Sequence, residues 1–272
     1  MKSHRLAVLG NPVSHSRSPQ IHEAFAQQVG IDLSYEKIEV PDGEFNQVAS
    51  ELLSLHYAGF NITLPCKGDA FRFASRCSNS ALRSEAVNTI SIVDETQILG
   101  DNTDGPGLVK DITENLGWQI ENQRILVLGA GGAVRGILWD LLQASPQVVH
   151  LYNRTAAKAD VIVKKMADPG LIAVTRASLE QGYDLVINGT SAGLGGEVPD
   201  LPTSVLCVDS CSYDMVYGSQ TTAFNDWCHR TSGCEIADGL GMLVEQAALS
   251  FQIWFSRKVQ TAQVIAVLRN SH

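Results

Sequence analysis

Two serines separated by one residue, Ser16 and Ser18, follow the apolar run Leu6 to Leu9 and the turn formers Gly10, Asn11 and Pro12. Strand ends that feed polar loops are where open α/β sheets place their ligands. Each hydroxyl can donate or accept, so the pair suits a ligand bearing several oxygens, such as a polyhydroxylated acid. The plain alternative is a serine-rich turn in which Pro19 opens a helix. A second polar group follows at Asn61-Ile62-Thr63-Leu64-Pro65-Cys66-Lys67. Strand alternation points Asn61 and Thr63 to one side, and Pro65 ends the ladder before Lys67 starts a helix. Asn88 offers a further amide, and Asp101-Asn102-Thr103-Asp104-Gly105 adds carboxylates. Taken singly, Lys67 reads as a helix-start lysine, Asn88 as a turn residue and Asp104 as a cap or Asx-turn.

A third set of residues belongs to nucleotide chemistry. Ile125 to Leu128 is an apolar run that enters Gly129-Ala130-Gly131-Gly132-Ala133-Val134-Arg135-Gly136. A buried strand, glycines and then a helix let backbone N–H groups approach a pyrophosphate. The strict G-x-G-x-x-G spacing breaks at Val134. The next strand ends in Asn153-Arg154-Thr155, with Lys158 one turn on, where an NAD site ordinarily has an acid for the ribose hydroxyls. Arg154 suits a 2′-phosphate through charge-assisted hydrogen bonds, and Thr155 adds a hydroxyl, which favours NADP over NAD.

These residues need a frame, and the composition allows one. With 272 residues, 44% of them hydrophobic, the chain can build one large domain or two small ones. A net charge of −9 with no basic stripe excludes a nucleic-acid-coating protein. The cysteines at 66, 77, 207, 211, 228 and 234 form no C-x-x-C pair and no zinc-like spacing, so no metal site is expected. Asp101 to Gly105 partly resembles a calcium loop but lacks the alternating acids, and Ile112 stands where the bidentate glutamate belongs. The chain reaches Gly10, Asn11 and Pro12 before a signal-peptide core can form, and no apolar run approaches ~18 residues. A cytoplasmic protein without membrane partners is expected. Asn61-Ile62-Thr63, Asn153-Arg154-Thr155 and Asn188-Gly189-Thr190 fit the glycosylation pattern, and in such a protein they need another explanation.

Short apolar runs alternate with helical patterns, which predicts parallel sheets. Strands are expected at Leu6 to Leu9, Ser34 to Val40, Gly59 to Leu64 and Ala86 to Val93, with helices near Gln20 to Val29 and Gly43 to Leu55. A helix over Leu108 to Leu116 leads to a second series of strands at Arg124 to Leu128, Val148 to Tyr152, Ile172 to Val174, Leu185 to Asn188 and Val205 to Asp209. From Asp238 onward, Leu240, Leu243, Val244, Ala247 and Ala248 repeat at helical spacing. The fold class is therefore α/β with two domains. Residues 1–103, completed by C-terminal helices in 238–272, form the first, and residues 104–237 form a Rossmann-like second.

In order along the chain, the Asn11 to Pro19 segment, the Asn61 to Lys67 strand end, Ala86-Val87-Asn88-Thr89, Asp101 to Gly105, the Gly129 loop, Asn153-Arg154-Thr155 and Asp238 to Ala247 resemble the shikimate dehydrogenases. That resemblance covers essentially the whole chain. It implies an N-terminal α/β substrate domain, a Rossmann-like NADP-binding domain and an active site in the cleft between them. It also implies reversible NADPH-dependent reduction of 3-dehydroshikimate to shikimate, in the pathway to chorismate and the aromatic amino acids. By the resemblance, Ser16, Ser18, Thr63, Lys67, Asn88, Asp104, Tyr217 and Gln246 bind the substrate, and Asn61 supports them. Cofactor contacts fall on Gly129, Ala130, Gly131, Gly132, Ala133, Asn153, Arg154, Thr155, Lys158, Thr190, Met215 and Gly239. Three departures stand out: Ser84-Glu85 where the family has a small apolar residue and glycine, Asn79 where it has an acidic or hydroxylated residue, and Val134.

Reducing a ketone with hydride leaves an alkoxide unless a group protonates it. Lys67 is the candidate donor, with Asp104 holding its ammonium. Two other readings stay open, a broader quinate/shikimate dehydrogenase using NAD or NADP and a catalytically silent NADP-binding regulator. Ser18 and Arg154 count against the first, and the presence of Lys67 and Asp104 counts against the second. A small-molecule substrate and no nucleic acid are expected, and the chain is either a monomer or a homodimer.

Overall fold

The computed structural model describes residues 4–94, 96–190 and 196–270. The chain divides into two compact units, Met1–Gly107 with Val244–Leu268 and Leu108–Leu243 with Arg269–His272. Both crossings come later in the chain than the expected boundaries at 103 and 238. Asp104 stays with the first unit because Asn88 donates to its carboxylate at 2.8 Å. Gly107 stays there because it lies against Gln246, whose Cβ is 2.8 Å from where a Cβ on Gly107 would stand. The start of the last long helix goes with the second unit, where Gly241 lies against the Asp111 carboxylate.

In the first unit the chain runs β1 (His4–Gly10), α1 (Ser18–Val29), β2 (Leu33–Glu39), α2 (Phe45–Ser54), β3 (Gly59–Ile62), α3 (Lys67–Phe73), β4 (Arg76–Cys77), α4 (Asn79–Ser84), β5 (Thr89–Ile92), β6 (Ile98–Asp101) and α5 (Asp104–Lys110). The strands form one sheet in the order β2-β1-β3-β5-β6-β4. Leu6 to Gly10 are all buried, as a central strand covered on both faces requires. Pro19 stands in the first turn of α1, and Gly30 in the left-handed region ends it, which is the expected asymmetry of helix termini.

The sheet is mixed rather than parallel throughout, because β5 runs antiparallel to both β3 and β6. The cause is local. The Asp94 carboxylate accepts from Thr96 N at 2.8 Å and Gln97 N at 2.9 Å, an Asx-type turn that folds β5 back onto β6. So tight a connection joins only antiparallel neighbours. Strand β5 also starts later than expected, at Thr89, so Asn88 stands just before it. The helix expected over Leu108 to Leu116 begins at Asp104 and ends in a π-helical turn, Asp111–Asn115.

The second unit continues with β7 (Arg124–Leu128), α6 (Gly132–Gln143), β8 (Val148–Tyr152), α7 (Ala156–Met166), β9 (Leu171–Val174), β10 (Leu185–Asn188), β11 (Cys211–Asp214), α8 (Ala223–Ser232) and β12 (Glu235–Asp238). All its strand pairs are parallel, in the order β12-β11-β10-β7-β8-β9. Counted from β7 this is 3-2-1-4-5-6, the doubly wound dinucleotide-binding order, with its switch point between β7 and β10. The strand expected at Val205 to Asp209 is instead β11, Cys211–Asp214. Thr203–Val205 form a 3-10 turn, and Val205 and Leu206 are apolar because they pack with Phe224 and Cys228. Strand β11 escapes an apolar scan because its buried residues are polar and specifically paired. Ser212 donates to Asn225 Oδ1 at 2.8 Å, and Tyr213 donates to Asp111 Oδ2 at 2.7 Å. The chain closes with α9 (Leu240–Phe255) and α10 (Thr261–Asn270).

Candidate active site

Lys67 is the first residue of α3 and Asp104 the first of α5, and their side chains meet with Nζ 2.5 Å from Oδ2. The pair is not sealed, since 17% of the lysine side chain and 10% of the aspartate side chain remain exposed. The other carboxylate oxygen, Oδ1, accepts from Asn88 Nδ2 at 2.8 Å. The same Nδ2 lies 2.9 Å from Thr103 Oγ1 and 3.2 Å from Gln246 Oε1. Asn88 Oδ1 accepts from Thr103 N at 2.9 Å and Thr89 Oγ1 at 2.9 Å, which fixes which end of the amide faces Asp104. Asp104 N donates to Asn102 Oδ1 at 3.0 Å, and Asn102 Nδ2 donates to the buried Ser84 Oγ at 2.9 Å. Ser84 thus braces the loop that carries Asp104. Glu85 ends α4 with φ 50°, a left-handed position where glycine is the least strained residue.

Asn61 lies inside the first unit, consistent with a supporting place. It is buried, and its Oδ1 accepts from Tyr35 Oη at 2.6 Å and His22 Nε2 at 3.1 Å. Its Nδ2 faces Asn88 O at 3.1 Å, Thr89 Oγ1 at 3.2 Å and Ser250 Oγ at 3.1 Å. With every hydrogen-bonding position used inside the protein, Asn61 holds the Asn88 segment and has none left for a ligand. The glycosylation-like pattern at Asn61 is therefore a buried bracket. His22 is wholly enclosed, stacked on Tyr35 with ring centroids 4.6 Å apart, and burial lowers its pKa from 6.5 to about 3. Thr63 is half-buried just past β3, its N–H donating to Leu9 O at 2.8 Å. Ser16 Oγ lies 3.1 Å from Ser18 Oγ at the start of α1, with Ser18 buried and Ser16 half-buried.

The second unit holds the glycine loop at the switch point. Gly129 leaves β7 with φ +109°, a conformation that needs glycine, and its N–H donates to Tyr152 O at 2.8 Å. Gly131 precedes α6 with open space where a side chain would stand. The first N–H groups of a helix lack intrahelical partners, so Gly131, Gly132 and Ala133 offer donors to a pyrophosphate. After β8, Asn153 Nδ2 donates to Thr155 O at 2.8 Å and closes the turn. Arg154, Thr155 and Lys158 are exposed beside it, and Arg154 and Lys158 make no side-chain hydrogen bond or ion pair with the described residues. Two unpaired cations, with no carboxylate ending the strand, fit the extra phosphate of NADP.

Thr190 follows β10, and its N–H and Oγ donate to Asn188 Oδ1 at 3.1 Å and 2.8 Å. That closed turn accounts for the third glycosylation-like pattern. Met215 and the half-buried Tyr217 follow β11, and Gly239 follows β12, so Tyr217 belongs to the second unit while the other substrate candidates belong to the first. Among the described residues no group of His, Cys, Asp and Glu side chains could hold a metal ion. All six cysteines are free, and burial pushes Cys211 up to about 11 and Cys228 up to about 12. The residues that sequence reasoning missed are His22, Tyr35, Thr103 and Ser250 in the first unit and Asp214 in the second. Polar residues on otherwise apolar helix faces, such as His22 in α1 and Ser250 in α9, are the signal available for two of them.

A parallel sheet in dinucleotide-binding order, a glycine loop at its switch point and a lysine–carboxylate pair in a separate α/β unit define a two-unit nucleotide-dependent α/β protein. Family models match as the shikimate dehydrogenase substrate binding domain over residues 8–90, shikimate / quinate 5-dehydrogenase over 108–194 and the shikimate 5'-dehydrogenase C-terminal domain over 239–269. The chain is 48% identical over 267 residues to the shikimate dehydrogenase (NADP(+)) of Chromobacterium violaceum, covering 97% of each protein. Among solved structures it is similar to an Ael1 enzyme from Pseudomonas putida, with TM-score 0.93 and 39% identity over 98% of both chains. It is also similar to shikimate 5-dehydrogenase from Thermus thermophilus in complex with NADP(H) and shikimate, with TM-score 0.89, 31% identity and coverage of 99% of this chain and 100% of that one. The chain belongs to the shikimate dehydrogenase family.

Proposed function

We propose that this protein catalyses the reversible NADP-dependent interconversion of 3-dehydroshikimate and shikimate. The observation that carries the reading is the Lys67–Asp104 pair, part-exposed and fixed by Asn88. NADPH, when bound, supplies hydride to the ketone carbon of the substrate. Lys67 donates its ammonium proton to the carbonyl oxygen as the negative charge develops there and is left as the neutral amine; in the reverse direction the Lys67–Asp104 pair, with Lys67 neutral, accepts the proton from the hydroxyl. Asp104 orients the ammonium and balances its charge. Asn88 holds the carboxylate, and Asn61 holds the Asn88 segment.

Ser16, Ser18, Thr63, Asn88, Gln246 and Tyr217 supply hydrogen bonds to the hydroxyls and carboxylate of the substrate. Gly129 to Ala133 receive the pyrophosphate, and Asn153, Arg154, Thr155 and Lys158 receive the 2′-phosphorylated ribose. Thr190, Met215 and Gly239 complete the cofactor site. No described helix is long and apolar enough to cross a membrane, and six free thiols suit a reducing compartment, which supports a cytoplasmic enzyme.

The test is the absorbance change at the nicotinamide band with shikimate or quinate, each offered with NADP or NAD. Turnover concentrated on shikimate with NADP is expected. Comparable rates with quinate or NAD would make the protein a broader quinate/shikimate dehydrogenase, and NADP binding without turnover would make it a silent regulator.

A further inference from the structure

One buried carboxylate organises the turns at the end of the second sheet. Strands β10, β11 and β12 are paired in register, so Asn188, Asp214 and Asp238 end three adjacent strands side by side. Asp214 is fully buried, and burial raises its carboxyl above the ordinary aspartate value while the Thr222 hydroxyl, Val216 N and the Asn188 amide pull it back. Its Oδ1 accepts from Asn188 Nδ2 at 3.1 Å and from Val216 N at 3.1 Å. The first bond decides the orientation of the Asn188 amide. Its NH2 must face the carboxylate, so its oxygen must face the other way. There it accepts both the N–H and the hydroxyl of Thr190. The backbone tightens the same knot, with Met215 N donating to Asn188 O at 2.9 Å and Gly239 N to Val216 O at 3.3 Å. Thr190, Met215 and Gly239, the three cofactor candidates that lie beyond the glycine loop and the Arg154 turn, all connect to this pair.

We infer that Asp214 is a positioning residue that acts through Asn188 to hold the Thr190 and Met215 turns in the shape that receives the nicotinamide nucleotide. The inference rests on the proposed NADP-dependent activity. A buried carboxylate without a paired cation is costly for a fold, and an apolar residue would suit the core better unless its acceptor geometry were needed. The Asn188 and Val216 bonds use one oxygen, Oδ1. An asparagine at 214 keeps that oxygen and an alanine does not.

The test is NADPH affinity by fluorescence titration of the full-length chain, which does not depend on turnover, together with circular dichroism and steady-state kinetics. Asp214→Ala and Asn188→Ala are expected to weaken NADPH at least about tenfold with native circular dichroism, because buried partners lose their hydrogen bonds. Asp214→Asn is expected to stay within about twofold of the unmodified protein, because both accepted bonds persist. The double alanine variant is expected to lose little more than either single one, since both cut one chain of bonds. A folded Asp214→Ala with unchanged affinity overturns the inference, as does an Asp214→Asn that binds as weakly as the alanine. Should Asp214→Ala fail to fold, unchanged affinity in Asn188→Ala overturns it equally. The proposed activity is judged on the unmodified protein alone. NADPH binding without shikimate turnover there overturns the activity and leaves the positioning result standing, whereas no NADPH binding overturns both.

Discussion

Val134 stands where the third glycine of a dinucleotide loop belongs, and the space its side chain needs is supplied by Gly189 across the switch point. A Cβ on Gly189 would lie 2.5 Å from Val134 Cγ2 and 3.0 Å from Met215 Sδ. In the usual fingerprint the third glycine lets the helix approach the sheet. Here the missing side chain is on the residue after β10 instead, and Val134 stays fully buried in the core of the second unit. Gly189→Ala is therefore expected to destabilise the fold by about 1–3 kcal/mol through overpacking. Adding Val134→Ala should recover much of that loss. Urea unfolding of the single and double variants checks this, and additive losses would mean that the two residues do not share the space.

Lys67→Ala should lower kcat by at least about a hundredfold, the scale of a lost general acid, while NADPH affinity stays within about twofold. Lys67 belongs to the first unit, whereas the glycine loop and the Arg154 turn assigned to the phosphates of NADP belong to the second. Pre-steady-state kinetics beside a fluorescence titration separates the two quantities. Equal losses in both would remove the proton from Lys67.

Arg154→Ala should raise the KM for NADP by roughly 10–100-fold and leave that for NAD nearly unchanged, since a charge-assisted bond is worth about 1.5–3 kcal/mol. Arg154 is exposed and makes no ion pair with the described residues, so its loss should cost little stability. A cofactor preference that does not move would leave the 2′-phosphate without its proposed clamp.

His22 predicts an acid-side loss of stability. In the unfolded chain it takes up a proton near its ordinary 6.5, whereas in the fold burial delays protonation to about 3. Between those values the unfolded state binds more protons, so stability is full above 6.5 and declines as the pH falls toward 3. The slope attributable to His22 is about 1.4 kcal/mol per pH unit. His22→Gln should flatten it. Urea unfolding at several pH values in both proteins measures the difference, and parallel slopes would show that His22 stays protonated or exposed in the fold.

The glycine loop, the Arg154 turn and the helix start at Lys67 were readable because each is a run of neighbouring residues whose local conformation carries its meaning. The same holds for most strands of the second unit, whose apolar runs are buried on both faces. Strand β11 was misplaced because Ser212, Tyr213 and Asp214 are buried through partners at Asn225, Asp111 and Asn188, none of them near in sequence. Strand β5 was expected in a parallel sheet because burial leaves the same apolar run in either direction, and the Asp94 turn makes it run opposite to β6.

By itself the sequence determined two α/β units, a nucleotide loop, the cations beside it and the residue types able to protonate a reduced ketone. Tertiary structure alone decided which of the other groups meet. The meeting of Lys67 with Asp104 was already expected from the family resemblance, but the internal bracket of Asn61 with His22 and Tyr35 and the aiming of Asn188 by way of Asp214 were not. The reason is that local conformation follows from neighbouring residues, whereas a hydrogen bond between distant residues depends on strand register and helix packing, which every part of the chain sets together.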